Sequence, residues 1–317
     1  MSDPKGQGQG LLVAAPERWD EACFSVPAVR ALVAAGLPVT LLCPQEQEMF
    51  WQTLPGLAIL HYPLKTAARA MAEVIGPSFE AAIVWENGLA AEACAKAQIA
   101  RRTGPGDDRA LVKRLTDPVG MAAPGPILHR VRHYLSLVEA MGLETGVPAY
   151  FEPAALGVEA IPGTVLLAPD SDFGRSHEWP LERWEALARE LIARGKRLTL
   201  AGIAGAETLS MMLANALGGD IRAVTLDPLA ASLPILAAHE RVIAADGSLP
   251  HLASHAGATC VVLFGPNEPA WKRPLGKRHA ILRQHVECSP CFSGKCAMDL
   301  RCQTELTVER VLAAVGA

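Results

Sequence analysis

Features that would place this 317-residue chain in several large protein classes are missing. Its 29 Lys and Arg against 33 Asp and Glu give a formal net charge of −4, so it lacks the basic excess of a general nucleic-acid-binding protein. Its longest apolar runs, such as 81–85 and 261–264, are far shorter than the roughly 20 residues of a membrane-spanning helix. Residues 1–10 lack the apolar core of a secretory signal and read as a flexible start. The sequence therefore predicts a cytoplasmic protein without a membrane span.

The composition that remains is that of an ordinary globular protein, with 50% hydrophobic and 20% charged residues. At roughly 150 residues per domain, the length predicts two domains, each able to bury a core without disulfides. Four of the eight cysteines are scattered through apolar segments: Cys23, Cys43, Cys94 and Cys260. In a reducing compartment these four are expected to be buried free thiols.

Short apolar runs alternate with helix-period segments in both halves of the chain, as in the strand-like run 11–15 followed by the helical segment 21–35. This alternation predicts parallel sheets covered by helices, an α/β fold. A Pro- and Gly-rich connector over 146–163 divides the pattern, and we place the domains at 1–155 and 156–317. Parallel strands bind ligands at their carboxyl ends, so two such halves suggest a cleft with one substrate on each side.

The alternation is interrupted in the first half at two segments rich in Gly and Pro, 101–109 and 117–126. Both are predicted as loops, and a helix is expected to resume over 128–141.

Three loops after predicted strands of the second half carry polar groups that suit an anionic ligand. They lie at 169–179, 246–248 and 265–273, and each follows a strand-like apolar run. Backbone amides, hydroxyls and cations in such loops can bind phosphate groups. Ordinary surface loops with helix-capping residues are the alternative for each of the three.

Together, the order, spacing and flanking residues of these loops resemble the ADP-heptose:lipopolysaccharide heptosyltransferases of glycosyltransferase family 9. The resemblance covers nearly the whole chain and is carried by Trp179-Pro180, 202–207, the Asp-x-x-Leu-x-His stretch 246–251, Phe264-Gly265-Pro266, 129–137 and 16–32. It implies a GT-B fold, in which two Rossmann-like domains have parallel sheets facing a central cleft. The first domain would bind mainly the acceptor, and the second the nucleotide-activated sugar.

The resemblance also implies a catalytic base near the first helix. Family members usually have a Gly-Asp pair there, four residues before a Ser or Thr and six before a Pro. Counting back from Ser25 and Pro27 gives Glu21, with Asp20 in the place of the Gly. Glu21 is the expected base for the acceptor hydroxyl, and Asp20 is the second candidate. The alternative is that both acids only interact favourably with the dipole at the N-terminus of the helix.

The donor-binding residues implied by the resemblance depart from the family pattern in the second half. His177 stands where a Lys usually precedes Trp-Pro by two residues, and Arg175 is the expected compensating cation. The usual Asp-Ser/Thr-Gly triplet is Asp246-Gly247-Ser248. The expected donor-binding residues are Ser171, Arg175, Ser176, His177, Glu207, Asp246, Gly247, Ser248 and His251.

The activity implied is inverting transfer of heptose, or a similar sugar, from a nucleotide sugar such as ADP-heptose to a lipopolysaccharide core or related glycan. Protein charges and helix dipoles would stabilise the leaving nucleoside diphosphate, with no metal cofactor for catalysis. Because three chemical positions depart from the family pattern, a catalytically degenerate homologue that binds nucleotide sugars or serves as a scaffold is the alternative.

Four more cysteines form a cluster near the C-terminus: Cys288, Cys291, Cys296 and Cys302. Their spacing suits tetrathiolate binding of a structural zinc or iron ion, with free thiols or disulfides as the alternative. A similar tail is common in the family, and related autotransporter heptosyltransferases have a four-cysteine iron-binding finger.

The segment 96–134 carries eight Lys or Arg against three Asp, a local charge of 8 − 3 = +5. Such a face suits a phosphorylated or carboxylated acceptor at the inner face of the inner membrane, whereas a solvated face without a partner is the alternative. Its aromatic residues are too few to favour single-stranded nucleic acid. The residues expected to bind the acceptor are Arg101, Arg102, Lys113 and Arg114.

Overall fold

The computed structural model describes residues 10–63, 65–121, 128–219 and 221–316. Contacts divide the chain into two compact units, Met1–Phe151 and Glu152–Ala317. The division falls inside the predicted connector, after residue 151, whereas the sequence analysis placed it after residue 155. Residues 1–9 of the predicted flexible start and 122–126 of the second predicted loop lie outside the described residues.

The first unit alternates strands with helices from its first described residue. Its strands are β1 (Gly10–Ala14), β2 (Val39–Pro44), β3 (Ala58–Tyr62), β4 (Phe79–Val84), β5 (Arg101–Pro105) and β6 (Asp117–Val119). Its helices are α1 (Trp19–Ala34), α2 (Glu48–Trp51), α3 (Ala68–Ile75), α4 (Leu89–Lys96), α5 (Arg109–Val112) and α6 (Val131–Ala140).

The second unit repeats this arrangement and adds helices at its end. Its strands are β7 (Ile161–Ala168), β8 (Arg197–Ile203), β9 (Arg222–Leu226), β10 (His239–Ala245), β11 (Thr259–Phe264) and β12 (Ala280–Arg283). Its helices are α7 (Leu181–Ala193), α8 (Thr208–Leu217), α9 (Leu233–Ala237), α10 (Leu249–His255), α11 (Pro269–Lys272), α12 (Arg301–Thr304) and α13 (Val308–Val315).

Each unit contains one six-stranded sheet, and every strand pairing within both sheets is parallel. The strand orders are β3-β2-β1-β4-β5-β6 and β12-β11-β10-β7-β8-β9. Both correspond to the doubly wound order 3-2-1-4-5-6, which confirms the predicted α/β, Rossmann-like class. Ligands of such sheets bind where the strand order reverses. Ligand-binding residues are therefore expected at the carboxyl ends of β1 and β4 in the first unit, and of β7 and β10 in the second.

Strands β5 and β6 correct the prediction of loops at 101–109 and 117–126. The β5 sequence RRTGP contains residues that disfavour strands, and its pairing with β4 overrides that local preference. Gly104 is required by this close approach, because a Cβ atom there would lie 2.3 Å from the Val84 carbonyl oxygen. Pairing with β4 therefore stabilises β5 as a strand, although the composition of the segment predicts a loop.

Each unit has its own hydrophobic core, one including Leu12 and Val84 and the other including Leu167 and Trp184. Cys23, Cys43, Cys94 and Cys260 are buried free thiols, as predicted. Within the described ranges, the helices all lack the combination of length and apolar character needed to cross a membrane.

Candidate active site

Glu21 lies in the first turn of α1, after the carboxyl end of β1, and its side chain is 9% exposed. Its carboxylate accepts hydrogen bonds from Arg130 Nε, at 2.8 Å, and from the Tyr134 hydroxyl, at 2.5 Å. Burial and the Glu21 charge raise the pKa of Tyr134, so this hydroxyl stays a proton donor. Two donors from α6 and the residue before it thus hold Glu21 in one orientation.

Asp20 has a different environment from Glu21, although the two residues are adjacent. It is fully buried, and its two carboxylate oxygens accept from Arg18 Nε and Nη2, each at 3.1 Å. This two-pronged ion pair occupies the carboxylate with a neighbour on the same helix turn. Of the two acids, Glu21 alone keeps part of its side chain exposed.

A third carboxylate of this region, Glu86, was missed by the sequence analysis. It follows β4 on the other side of the switch point and accepts a hydrogen bond from the backbone N–H of Glu17 at 3.0 Å. Partial desolvation of the carboxyl group of this otherwise exposed residue, together with the nearby charges of Glu21 and Glu17, raises the pKa of Glu86, and the hydrogen bond from the Glu17 backbone opposes that shift. Its position directly after a strand was the available signal, since carboxyl ends of parallel strands converge at one edge.

In the second unit, Asp246 lies at the carboxyl end of β10 and is completely buried. Its Oδ2 atom is 3.0 Å from His177 Nδ1 and accepts a hydrogen bond from Asn267 Nδ2 at 2.7 Å. Burial raises the pKa of Asp246, whereas His177, Asn267 and Lys272 act in the opposite direction. Among the described residues, none donates a hydrogen bond to the other oxygen, Oδ1.

Three residues of the predicted donor-binding set, Ser171, Gly247 and Ser248, lie beside this aspartate. The Ser171 hydroxyl donates to the Asp246 carbonyl at 2.6 Å. Ser248 donates to Asp172 through its backbone N–H, at 2.8 Å, and through its hydroxyl, at 2.6 Å. A Cβ atom at position 247 would lie 2.8 Å from Asp172 Oδ1, so a larger residue there would displace the carboxylate that Ser248 contacts.

The remaining predicted donor residues occupy varied positions. His251 is buried in the first turn of α10, and Arg175 is exposed. Ser176 is tied to the C-terminal tail: its hydroxyl donates to the Ser293 carbonyl, and its own carbonyl accepts from Gln303 Nε2 at 3.2 Å. Ser176 therefore has a structural partner, which its sequence position did not reveal.

Glu207 precedes α8 and lines a cavity of about 230 Å³ beside β9. Its Oε2 atom is buried and, within the described part of the chain, has no hydrogen-bond partner. A buried acceptor of this kind suits a ligand hydroxyl.

The sequence analysis also overlooked an Asp-x-Asp pattern, Asp170-Ser171-Asp172, which in other proteins can bind a metal ion. Here Asp170 accepts from the backbone N–H groups of Leu209 and Ser210, at 2.6 and 3.0 Å, at the start of α8. Asp172 accepts from Ser248, as described above. Both carboxylates thus accept hydrogen bonds from within the protein, and these contacts connect the loop after β7 to the start of α8 and to Ser248.

Cys288, Cys291, Cys296 and Cys302 line one small cavity of about 20 Å³. Burial and the three other thiols raise the pKa of Cys302 to about 11. Four thiols beside one cavity suit a thiophilic ion in chemical type. However, no three Cys, His, Asp or Glu side chains of the described residues are arranged to hold a metal ion.

The four residues predicted to bind the acceptor divide into two kinds. Arg101 and Lys113 are exposed. Arg102 donates to the carbonyls of Arg114, at 2.6 Å, and of Ile99, whereas Arg114 donates to Asn87. The guanidinium groups of Arg102 and Arg114 therefore stabilise the fold around β5. Among the contacts of the described residues, none links either group to Glu21.

The chain is similar to known proteins in both sequence and fold. The profile of glycosyltransferase family 9 (heptosyltransferase) matches residues 69–301. Lipooligosaccharide heptosyltransferase 2 of Haemophilus influenzae is 27% identical over 172 residues, which are 53% of this chain and 48% of the relative. The chain thus matches about half the length of this curated relative.

Solved structures show the same fold across nearly the whole chain. The ADP-heptose lipopolysaccharide heptosyltransferase II of E. coli has a TM-score of 0.76, with 19% identity and 97% of both chains covered. The E. coli heptosyltransferase WaaC with ADP has a TM-score of 0.73, with 15% identity and coverage of 96% of this chain and 98% of the other. Because the family profile covers well over half of the residues, this chain is a member of glycosyltransferase family 9, the heptosyltransferase family.

Proposed function

We propose that the protein is an inverting glycosyltransferase that moves a heptose, or a similar sugar, from a nucleotide sugar to a lipopolysaccharide core or related glycan. The observation that carries this proposal is Asp246, buried at the switch point of the second sheet with Oδ1 lacking a donor from the described residues. An unpaired buried acceptor is costly, so a bound ligand that donates a hydrogen bond there would be favoured. Sugar and ribose hydroxyls are such donors.

The first unit supplies the group for the acceptor. Glu21 accepts hydrogen bonds from Arg130 and Tyr134, and those contacts orient its carboxylate. In the proposed reaction, Glu21 takes the proton of the acceptor hydroxyl as its oxygen attacks the anomeric carbon of the donor sugar. The exposed Arg101 and Lys113 support an anionic acceptor and peripheral contact with the cytoplasmic face of the inner membrane.

Calorimetric titration with ADP, UDP and GDP tests the donor class, because it requires no knowledge of the acceptor. We expect the full chain to bind ADP more tightly than the other two nucleotides. Preference for UDP or GDP would keep the transferase proposal and change the donor. Binding without turnover would favour the degenerate homologue, and absence of binding to all three would contradict a nucleotide-sugar enzyme.

We also propose that the four-cysteine tail holds a structural zinc or iron ion through Cys288, Cys291, Cys296 and Cys302. Their shared cavity supports this assignment. The thiols are not arranged around an ion in the described structure, so they would close around it on binding, and that coordination would stabilise the tail without entering the reaction. Elemental analysis of protein purified without added metal should find about one zinc or iron ion per chain. A Cys291→Ser/Cys296→Ser variant should lose the metal, whereas Cys43→Ser, at a buried scattered cysteine, should retain it. A folded, metal-free wild-type protein would contradict the proposal.

A further inference from the structure

Lys272 is a buried cation at the carboxyl edge of the second sheet, in the third of the loops that suit an anionic ligand. It is the last residue of α11, which follows β11, and it is 8% exposed. Its Nζ atom lies 5.6 Å from the centre of the Phe173 ring and 5.3 Å from that of Trp271. Phe173 belongs to the loop after β7, so Lys272 connects two loops that border the donor residues.

The same aromatic ring also touches the histidine of the donor set. Phe173 packs edge-to-face against His177, with ring centres 5.6 Å apart, and His177 in turn contacts the Asp246 carboxylate. The positive charge of Lys272 also acts on Asp246. Lys272, His177 and Asp246 therefore form one buried electrostatic cluster.

The other cations near these loops have different surroundings. Arg283 forms an ion pair with Glu268 at 2.6 Å, and that contact connects α11 to β12. Arg175 is exposed to solvent, where its charge is screened. His177 contacts the Asp246 carboxylate at 3.0 Å. Lys272 combines a cationic side chain with burial, and burial strengthens the attraction of a positive charge to an anion.

We propose that Lys272 binds the diphosphate of the donor and stabilises the nucleoside diphosphate as it leaves. This inference rests on the proposed glycosyltransferase function. In the transfer, the bond from the anomeric carbon to the phosphate oxygen breaks, and its electron pair stays on that oxygen. The acceptor oxygen forms the new bond to the anomeric carbon and loses its proton to Glu21. Lys272 neither gives nor takes a proton in this step and acts only through its positive charge.

Calorimetric titration of the full chain distinguishes this role from structural packing. The probes are the nucleoside diphosphate that the wild type prefers among ADP, UDP and GDP, and the matching nucleoside without phosphates. In Lys272→Met, we expect the diphosphate to bind about 10- to 100-fold more weakly, and the nucleoside to bind within about twofold of wild type. Lys272→Arg, which keeps the charge, should restore most of the diphosphate affinity.

Lys277→Met is the matched control, because it removes the same charge from an exposed position of the same loop. It should bind both probes as the wild type does. Equal loss of diphosphate and nucleoside affinity in Lys272→Met, or unchanged diphosphate affinity, would overturn the assignment while leaving the glycosyltransferase proposal intact. A wild type that binds none of the three nucleotides would overturn both. If Lys272→Met does not fold, Lys272→Gln allows the same comparison.

Discussion

Replacing Glu21 with Gln is expected to lower turnover by about 100-fold or more while donor affinity stays within about twofold of wild type. The amide keeps the shape of the side chain and can still accept hydrogen bonds from Arg130 and Tyr134, but it cannot take the acceptor proton. Turnover is measured as nucleoside diphosphate released from the donor in the presence of heptose-deficient lipopolysaccharide. Calorimetric titration of the same variant with the nucleotide gives the donor affinity.

The control for this experiment is Glu46→Gln, which makes the same chemical change at an exposed position. Its turnover should match that of the wild type. If Glu21→Gln retains turnover, Glu21 is not the base, and the two nearby carboxylates become the candidates. Glu86→Gln would then be tested before Asp20→Asn, because Asp20 is fully buried against Arg18 and its loss would also disturb α1.

Replacing Asp246 with Ala is expected to reduce both stability and donor binding. The change leaves His177 and Asn267 buried without their shared acceptor, which should lower the free energy of unfolding by about 3 kcal/mol. It also removes the oxygen that we expect a donor hydroxyl to reach, so nucleotide-sugar affinity should fall by about tenfold or more. Urea-induced unfolding measures the first effect and calorimetric titration the second.

Asp107→Ala, at an exposed position of the first unit, should change the free energy of unfolding by no more than about 0.5 kcal/mol. An Asp246→Ala variant as stable as this control would show that the buried contacts of Asp246 contribute little to the fold. Normal nucleotide-sugar affinity in Asp246→Ala would instead contradict the assignment of Asp246 to the donor site.

The sequence by itself determined the α/β class, the repeated arrangement and most strands of both sheets. Runs such as 165–168 and 260–264 are continuously apolar because these strands are buried on both faces by helices. The strand-exit positions of Asp246 and Ser171 were predictable for the same reason, since parallel strands bring their carboxyl ends to one edge.

Only the tertiary structure decided which partner each polar side chain has. The hydrogen bonds of Glu21 to Arg130 and Tyr134 span 109 and 113 residues, and the contact of His177 with Asp246 spans 69. Ser176 and Arg102 were predicted to bind ligands, yet both have partners within the fold. Lys272 is one of several charged residues that follow β11 in the sequence, and only the folded structure places it beside Phe173. Local periodicity fixes the strands and helices, but burial and charge pairing depend on residues far apart in the chain.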